Sequence, residues 1–350
     1  MENERIQKGS IRAICTSPEK GTVKRPVDSA RFIENYGIEG DAHAGKWHRQ
    51  VSLLAAEAVE AFYKLKNNRK SESTQSSGDG VGNGTVNDAE NNTENGTAEM
   101  SIRPGDFGEN ILTEGLDLHD IPCGTLVRSG DVILKITQRG KECHTGCRIR
   151  EVTGECIMPR EGVFAEVIRG GILKPSDPVE LEMPEENRAF SAAVITMSDK
   201  ASRGEREDKS GPRLSELLRS LGIEVTEELV LPDEASELKN NLIRLADRRD
   251  TDLIITTGGT GFSQRDVTPE ATLAVATRNA PGIAEAIRAG SLKITPRAML
   301  SRGVSVIRNK TLIINFPGSP KAVEESFEII RDVLPHALGI LTGRDFECGR

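Results

Sequence analysis

A β-rich, barrel-like N-terminal half followed by a three-layer α/β C-terminal half on a mostly parallel sheet is the fold this sequence predicts, and three observations predict it. Beyond Arg188, apolar runs such as 191–197 and 253–255 alternate with helical stretches, as strands joined by crossovers do. Before Pro184, short apolar runs alternate with polar residues and are separated by glycine-containing turns, which suits antiparallel strands closing on themselves. Between the two lies Pro184-Glu185-Glu186-Asn187, with the composition of a linker. A first domain over 1–186 and a second over 187–350 are expected, and 350 residues are enough for each to bury its own core.

The first strand is expected over Gly9 to Cys15, where Ile11, Ala13 and Cys15 share one face. Gly37-Ile38-Glu39-Gly40-Asp41-Ala42-His43-Ala44-Gly45 follows as a loop carrying an acid and a histidine. Gln50 to Leu54 reads as a short strand and Ala55 to Lys66 as an amphipathic helix. From about residue 66 to 100 the chain turns to Ser, Asn, Gly, Thr and acid, too poor in apolar surface to offset its ordering entropy, so a disordered insertion is expected there. Its Asn-x-Thr triplets are noise in a chain that never meets the glycosylation machinery. Order should return at Ile102 to Thr113, and Leu126–Arg128 with Val132–Thr137 flank Ser129-Gly130-Asp131 as a hairpin. Val179 to Met183 is the last strand of this half.

Gly140-Lys141-Glu142-Cys143-His144-Thr145-Gly146-Cys147-Arg148 is where the chemistry of this half concentrates. Lys141, His144 and Arg148 would favour a Cys143 thiolate, the form that nucleophilic sulfur chemistry needs. Two other readings stay open: a zinc site of Cys143 and Cys147 with Cys123 and Cys156, or simply buried thiols. Six cysteines in 350 residues are too few for a disulfide scaffold.

In the C-terminal half, Ser191 to Met197 is an apolar strand ending at Ser198-Asp199, and Gly211 to Leu221 is the next helix. Ile223-Glu224-Val225 is a second strand, and Leu231-Pro232-Asp233-Glu234 opens a helix to about Arg248. Leu253-Ile254-Ile255 then runs into Thr256-Thr257-Gly258-Gly259-Thr260-Gly261 and on to Asp266-Val267-Thr268-Pro269-Glu270. Glycines there let the backbone turn sharply and approach an anion, and the threonines offer hydroxyls. Thr268 suits an N-cap and Pro269 the first helical position. The loop is neither a P-loop nor a dinucleotide fingerprint, since it lacks Gly-Lys-Ser/Thr and the glycine spacing. Asn315-Phe316-Pro317-Gly318-Ser319-Pro320-Lys321 is a further strand end of this kind. Ligands of such sheets gather at the carboxyl ends of the strands, so Asp199, Asp233 and Asp266 should converge on one rim, with Ser319 near a phosphate.

Thr257 to Thr272 closely resembles the pterin-binding loop of the molybdopterin adenylyltransferase family, of the MogA/MoaB type. The likeness extends over about Ala189 to Gly343 through Val194 to Ser202, Asp208-Lys209-Ser210-Gly211, Leu231 to Glu234 and Asn315 to Ala322. The resemblance implies attack by the terminal phosphate of molybdopterin on the α-phosphorus of ATP, with Mg2+ as cofactor and pyrophosphate as leaving group. It implies that Asp233 and Asp266 carry catalysis through metal and nucleotide, while Thr257, Gly258, Gly259, Thr260, Gly261, Ser198, Asp199, Pro317, Gly318 and Ser319 bind substrate. Trimers or hexamers are implied as well, with other cofactor-biosynthesis proteins or acceptor molybdoenzymes as partners. The first half is similar to a MOSC domain over about Gly9 to Met183, through Gly37 to Asp41, Arg103 to Asn110, Gly140 to Cys143 and Pro159 to Ala165. That likeness implies binding of the molybdenum cofactor, or sulfur carriage on Cys143. Competing expectations are a non-catalytic pterin carrier, a molybdate-inserting domain and a nucleotide-binding module unrelated to pterin.

Net charge is −8. Residues 188–350 hold 23 basic and 23 acidic side chains, so the acid excess, 31 against 23 basic, lies in residues 1–187. No basic footprint for nucleic acid exists, and a neutral C-terminal half suits an anionic ligand. The charged Met1 to Arg5 is followed by no apolar h-region, and no run of eighteen apolar residues occurs, so a cytoplasmic protein without a membrane span is expected.

Overall fold

The computed structural model describes residues 6–75, 103–141 and 155–345. The chain divides into two compact units, 1–184 and 185–350. No helix among the described residues is long and apolar enough to cross a membrane.

In the first unit the strands are β1 (Ile6–Thr16), β2 (Arg25–Val27), β3 (Ala30–Ile33), β4 (Gly37–Ile38) and β5 (Val51–Ala55), followed by helix α1 (Ala56–Gln75). Then come β6 (Ile111–Glu114), β7 (Leu126–Ser129), β8 (Val132–Arg139), the single turn α2 (Met158–Glu161), β9 (Val163–Arg169), β10 (Gly171–Leu173) and β11 (Pro178–Glu182). The large sheet runs β11-β7-β8-β9-β5-β6-β1-β2, and β11 pairs back onto β1 from Ile6↔Glu182 to Ser10↔Pro178, which closes a seven-stranded barrel. Closure leaves no unpaired edge within the ring. Ile11, Ile14, Leu53, Ile111, Leu134, Ile136, Val167 and Leu181 fill its interior. Helix α1 continues through residue 75, into the stretch expected to be without structure from about 66. A helix already started extends at small cost per residue, so it runs past the point where the composition changes. Residues 76–102 of that stretch lie outside the described residues.

The motifs of the first unit meet around a buried ion pair. Lys24, only 2% exposed, donates to both oxygens of Asp41 at 2.9 and 2.8 Å. Asp41 also accepts from the backbone N–H of Ser17 and His43 and from Asn110 Nδ2, all at 3.0 or 3.1 Å. Burial alone would raise the Asp41 pKa, but the bonds from His43 and the charge of Lys24 hold it well below the usual carboxylate range. Beside the pair, Glu109 accepts from the N–H groups of Gly105 (2.6 Å) and Phe107 (3.2 Å). Its burial pushes its pKa up to about 7 in spite of those bonds.

In the second unit the sheet order is β13-β12-β14-β17-β16-β15, built from β12 (Ser191–Met197), β13 (Glu224–Leu231), β14 (Leu253–Thr257), β15 (Arg278–Asn279), β16 (Ser305–Arg308) and β17 (Thr311–Phe316). The pairs β12·β13, β12·β14 and β14·β17 are parallel, and β16 and β15 add antiparallel strands at one edge. The helices are the turn α3 (Asp199–Ser202), α4 (Ser210–Ser220), α5 (Ala235–Ile243) with a π-helical turn over Arg244–Arg248, α6 (Thr268–Leu273), α7 (Pro281–Leu292), α8 (Pro320–Ile330) and α9 (Leu334–Thr342). Strand residues alternate between two cores. Val194, Ile255 and Ile314 pack with Leu214, Leu218, Phe327 and Leu338 on one face, while Ile195, Ile254 and Ile313 pack with Leu238, Leu242 and Ala271 on the other. Both faces of the central strands are therefore covered, which explains why they read as continuous apolar runs.

Two helix starts differ from expectation. The N-cap of α6 is Val267, not Thr268, and no side chain caps it, because the Thr268 hydroxyl donates to the Gly258 carbonyl at 3.0 Å. The N-cap of α5 is Glu234, again without a side-chain cap, so the Asp233 carboxylate is not used as a cap.

Replacing Lys24 by Met should lower the stability of the first unit by about 3–5 kcal/mol in denaturant unfolding, because Asp41 would keep a buried charge without its cation. Adding Asp41→Asn should restore part of the loss. Since Glu109 has a folded pKa above its unfolded one, the folded state binds the extra proton, and stability should fall as pH rises from about 4.5 to about 7. Unfolding midpoints of Glu109→Gln across that range should lack this decline.

Candidate functional site

All four loops that leave the carboxyl ends of the parallel strands contribute to one site. Thr256 and Thr257, fully buried at the end of β14, deliver the chain into Gly258 and Gly259, both in the left-handed region at φ 95° and 63°. A Cβ on Gly258 would stand 2.5 Å from the Met197 carbonyl oxygen, and one on Gly259 would collide with the Thr268 hydroxyl. Only glycine allows this path. The backbone here closely approaches the loop after β17: a Cβ on Gly318 would lie 3.1 Å from the Gly258 Cα. Thr257 Oγ1 donates to the Pro317 carbonyl at 2.8 Å, and Ser210 Oγ to the Gly318 carbonyl at 2.8 Å. Ser319 caps α8, its hydroxyl accepting from the Ala322 N–H at 3.2 Å.

The acids sit on the adjoining loops. Asp199 and Asp233 clasp each other reciprocally: the Asp199 N–H donates to Asp233 Oδ2 at 3.0 Å, and the Asp233 N–H donates to Asp199 Oδ1 at 3.1 Å. Ser198 N–H donates to the Leu231 carbonyl, which ties the end of β12 to the end of β13, and its hydroxyl caps α3. Asp233 Oδ1 lies 3.4 Å from where a Gly259 Cβ would be, and Asp266 Oδ2 lies 2.9 Å from the corresponding position on Gly261. Asp266 Oδ2 also accepts from the Ser263 N–H at 2.9 Å. Both carboxylates thus border the glycine turn. Burial raises the Asp233 pKa, and the like charges of Asp199 and Asp266 add to the rise against the Asp199 N–H bond. Such a group gains from a nearby cation.

Sequence reasoning missed several residues that build the site. Asn315, buried at the end of β17, donates through its amide to Thr256 Oγ1 (2.9 Å) and Thr272 Oγ1 (3.0 Å), joining β14, β17 and α6. Asp208 accepts from the N–H of Ser210 and Gly211 and from Thr196 Oγ1, which fixes the start of α4. Arg302 straps the exit of the glycine loop by donating to the carbonyls of Gly261 and Asp266 and pairing with Glu270. Arg265 bridges Asp199 and Glu234. For Asn315 and Asp208 the signal was present, since both lie inside quoted motifs; for Arg302 there was none, as it is far in sequence from the loop it holds.

Cys143 and Cys147 lie outside the described residues. The thiols offered as their zinc partners, Cys123 and Cys156, are half-buried. Among the described residues no group of three or more His, Cys, Asp or Glu is placed to hold a metal ion on its own.

The family "Probable molybdopterin binding domain" matches residues 193–336, and the MOSC domain matches residues 40–180. The molybdopterin adenylyltransferase of Helicobacter pylori strain J99 is 41% identical over 152 residues, 43% of this chain and 86% of that protein. That of Escherichia coli K12 is 45% identical over 142 residues, 40% of this chain and 72% of that protein. The crystal structure of the molybdopterin biosynthesis enzyme MoaB from Thermus thermophilus matches with 46% identity over 45% of this chain and 99% of that one, at a TM-score of 0.43. By identity sustained over most of the length of these relatives, the chain belongs to the molybdopterin adenylyltransferase family, with a MOSC domain preceding the matching unit.

Proposed function

We propose that the second unit transfers AMP from ATP to molybdopterin, giving adenylyl-molybdopterin and pyrophosphate. The observation that carries this reading is the placement of Asp233 and Asp266 against the Gly258–Gly261 turn at the carboxyl rim of a parallel sheet. An oxygen of the pterin's terminal phosphate attacks the α-phosphorus of ATP, a new P–O bond forms, and the bond from the α-phosphorus to the bridging β-oxygen breaks to release pyrophosphate. The attacking oxygen belongs to the substrate phosphate, so the contribution of the chain is positioning and charge. Backbone N–H groups of the glycine turn and the hydroxyls of Thr260 and Ser319 hold phosphate oxygens, while Thr257, through its bond to the Pro317 carbonyl, ties the turn to the one that closes the cradle from the neighbouring strand. Ser198 and Asp199 fix the adjacent loop.

The donor set fits Mg2+. Two carboxylates, Asp233 and Asp266, are what this ion takes from a protein when substrate phosphates and water complete its shell, and a cation would offset the burial and the like charges that raise the Asp233 pKa. When bound there, Mg2+ would supply neutralisation of the charge on the transferring phosphoryl group. The three buried or half-buried acids around the turn speak against a mere pterin carrier, which has no use for a metal-binding rim. For the first unit the MOSC likeness supports binding of the molybdenum cofactor, or sulfur carriage on Cys143, as the companion role.

Pyrophosphate release from ATP and Mg2+ should depend on added molybdopterin; a carrier would bind pterin tightly without turning ATP over. Asp266→Ala and Asp233→Asn should each lower that rate by about a hundredfold or more while pterin binding persists, and a normal rate in Asp266→Ala would refute the assignment. Cys143→Ala should abolish sulfur loading or weaken cofactor binding of the full chain, read by persulfide-specific labelling and by cofactor fluorescence, and should leave pyrophosphate release unchanged.

A further inference from the structure

Arg265 occupies a position that the reading above does not explain. It lies in the glycine loop next to Asp266, yet its guanidinium points to the loops that follow β12 and β13. Nε and Nη2 form a fork on the two oxygens of Asp199 at 3.1 and 2.8 Å, and Nη1 reaches Glu234 Oε1 at 2.8 Å. Asp199 is clasped in turn to Asp233. One cation therefore faces Asp199 and Glu234, with Asp233 and Asp266 close behind. A structural ion pair has no need to be here: about half of the Arg265 side chain is exposed (52%), and exposed pairs contribute little to stability. What the fork does is neutralise acids at the mouth of a site that must admit a divalent cation with a polyphosphate.

We propose that Arg265 is a displaceable counter-charge, pairing with Asp199 and Glu234 while the rim is without nucleotide and passing to the phosphates of ATP when the nucleotide enters. This rests on adenylyl transfer as the reaction. The exchange is chemically symmetric, because a guanidinium fork matches phosphate oxygens as well as it matches a carboxylate. Carboxylates released by Arg265 add negative potential beside Asp233 and Asp266 as the cation arrives. The same residue thereby opposes metal binding in the empty site and favours nucleotide binding in the occupied one.

Mn2+ titrated into the full chain without ATP or pterin, followed by electron paramagnetic resonance, tests the first half. Arg265→Gln should bind Mn2+ about five- to tenfold tighter than wild type, as expected for loss of one nearby positive charge at an exposed site, while Arg265→Lys should stay near wild type. Calorimetric titration with Mg-ATP tests the second half: both variants lose the fork and should bind ATP about tenfold more weakly. Equal Mn2+ affinity in wild type and Arg265→Gln, or unchanged ATP affinity in both variants, overturns the proposal. Neither measurement needs turnover, so a wild-type protein that releases no pyrophosphate would sink adenylyl transfer while the two titrations still decide the role of Arg265.

Discussion

The second unit depends on two loops being allowed to touch backbone to backbone. Gly258 and Gly318 stand at the ends of adjacent parallel strands; a side chain on Gly318 would press on the Gly258 backbone, and one on Gly258 would press on the Met197 carbonyl at the end of the next strand. Around that contact the hydrogen bonds are directed inward: Thr257 to Pro317, Ser210 to Gly318, Thr268 to Gly258. Each is a side-chain donor on a loop carbonyl, and the Gly258 N–H bonds the Phe316 carbonyl in addition. The shape of the turn is therefore fixed from both neighbouring strand ends.

The acids obey the same logic. Asp199 and Asp233 exchange backbone-to-carboxylate bonds between two different strand ends, so each carboxylate is oriented by the other's main chain before any ligand arrives. Preorganisation of this kind removes reorganisation from the reaction step. It also explains why Asp233 is not spent on capping α5, a role that its position alone would have allowed.

Much of this was legible in the residues. The continuous apolar runs of β12, β14 and β17 signal strands covered on both faces, and the Gly-Gly-Thr-Gly turn and Asn-Phe-Pro-Gly-Ser turn mark their carboxyl ends. What was not legible depends on long-range partners. The hydroxyl of Thr268 could have capped its own helix; it bonds Gly258 because the folded loop presents a carbonyl there. The antiparallel turn between β16 and β17 passes through Asn309 at φ 53°, a tight link with little local signature. The stretch after Lys66 was read by composition, yet a helix already started extends at small cost, and the one begun at Ala56 runs on to Gln75. In the first unit, Asp41 and Asn110 each stood out in its own motif, but only the fold shows that Asn110 and Lys24 both bond the Asp41 carboxylate.

The outer flank of the α/β sheet is an eight-residue strand, β13, which would ordinarily be a template for another chain's backbone. Glu227 and Glu228 on it are held by Arg244, Arg249 and Arg219, so fixed guanidinium groups stand over the strand where an invading segment would have to dock. At the opposite flank β15 is only two residues long. Both flanks of the sheet thus carry a feature that discourages pairing with another chain's backbone, charged side chains on β13 and shortness at β15.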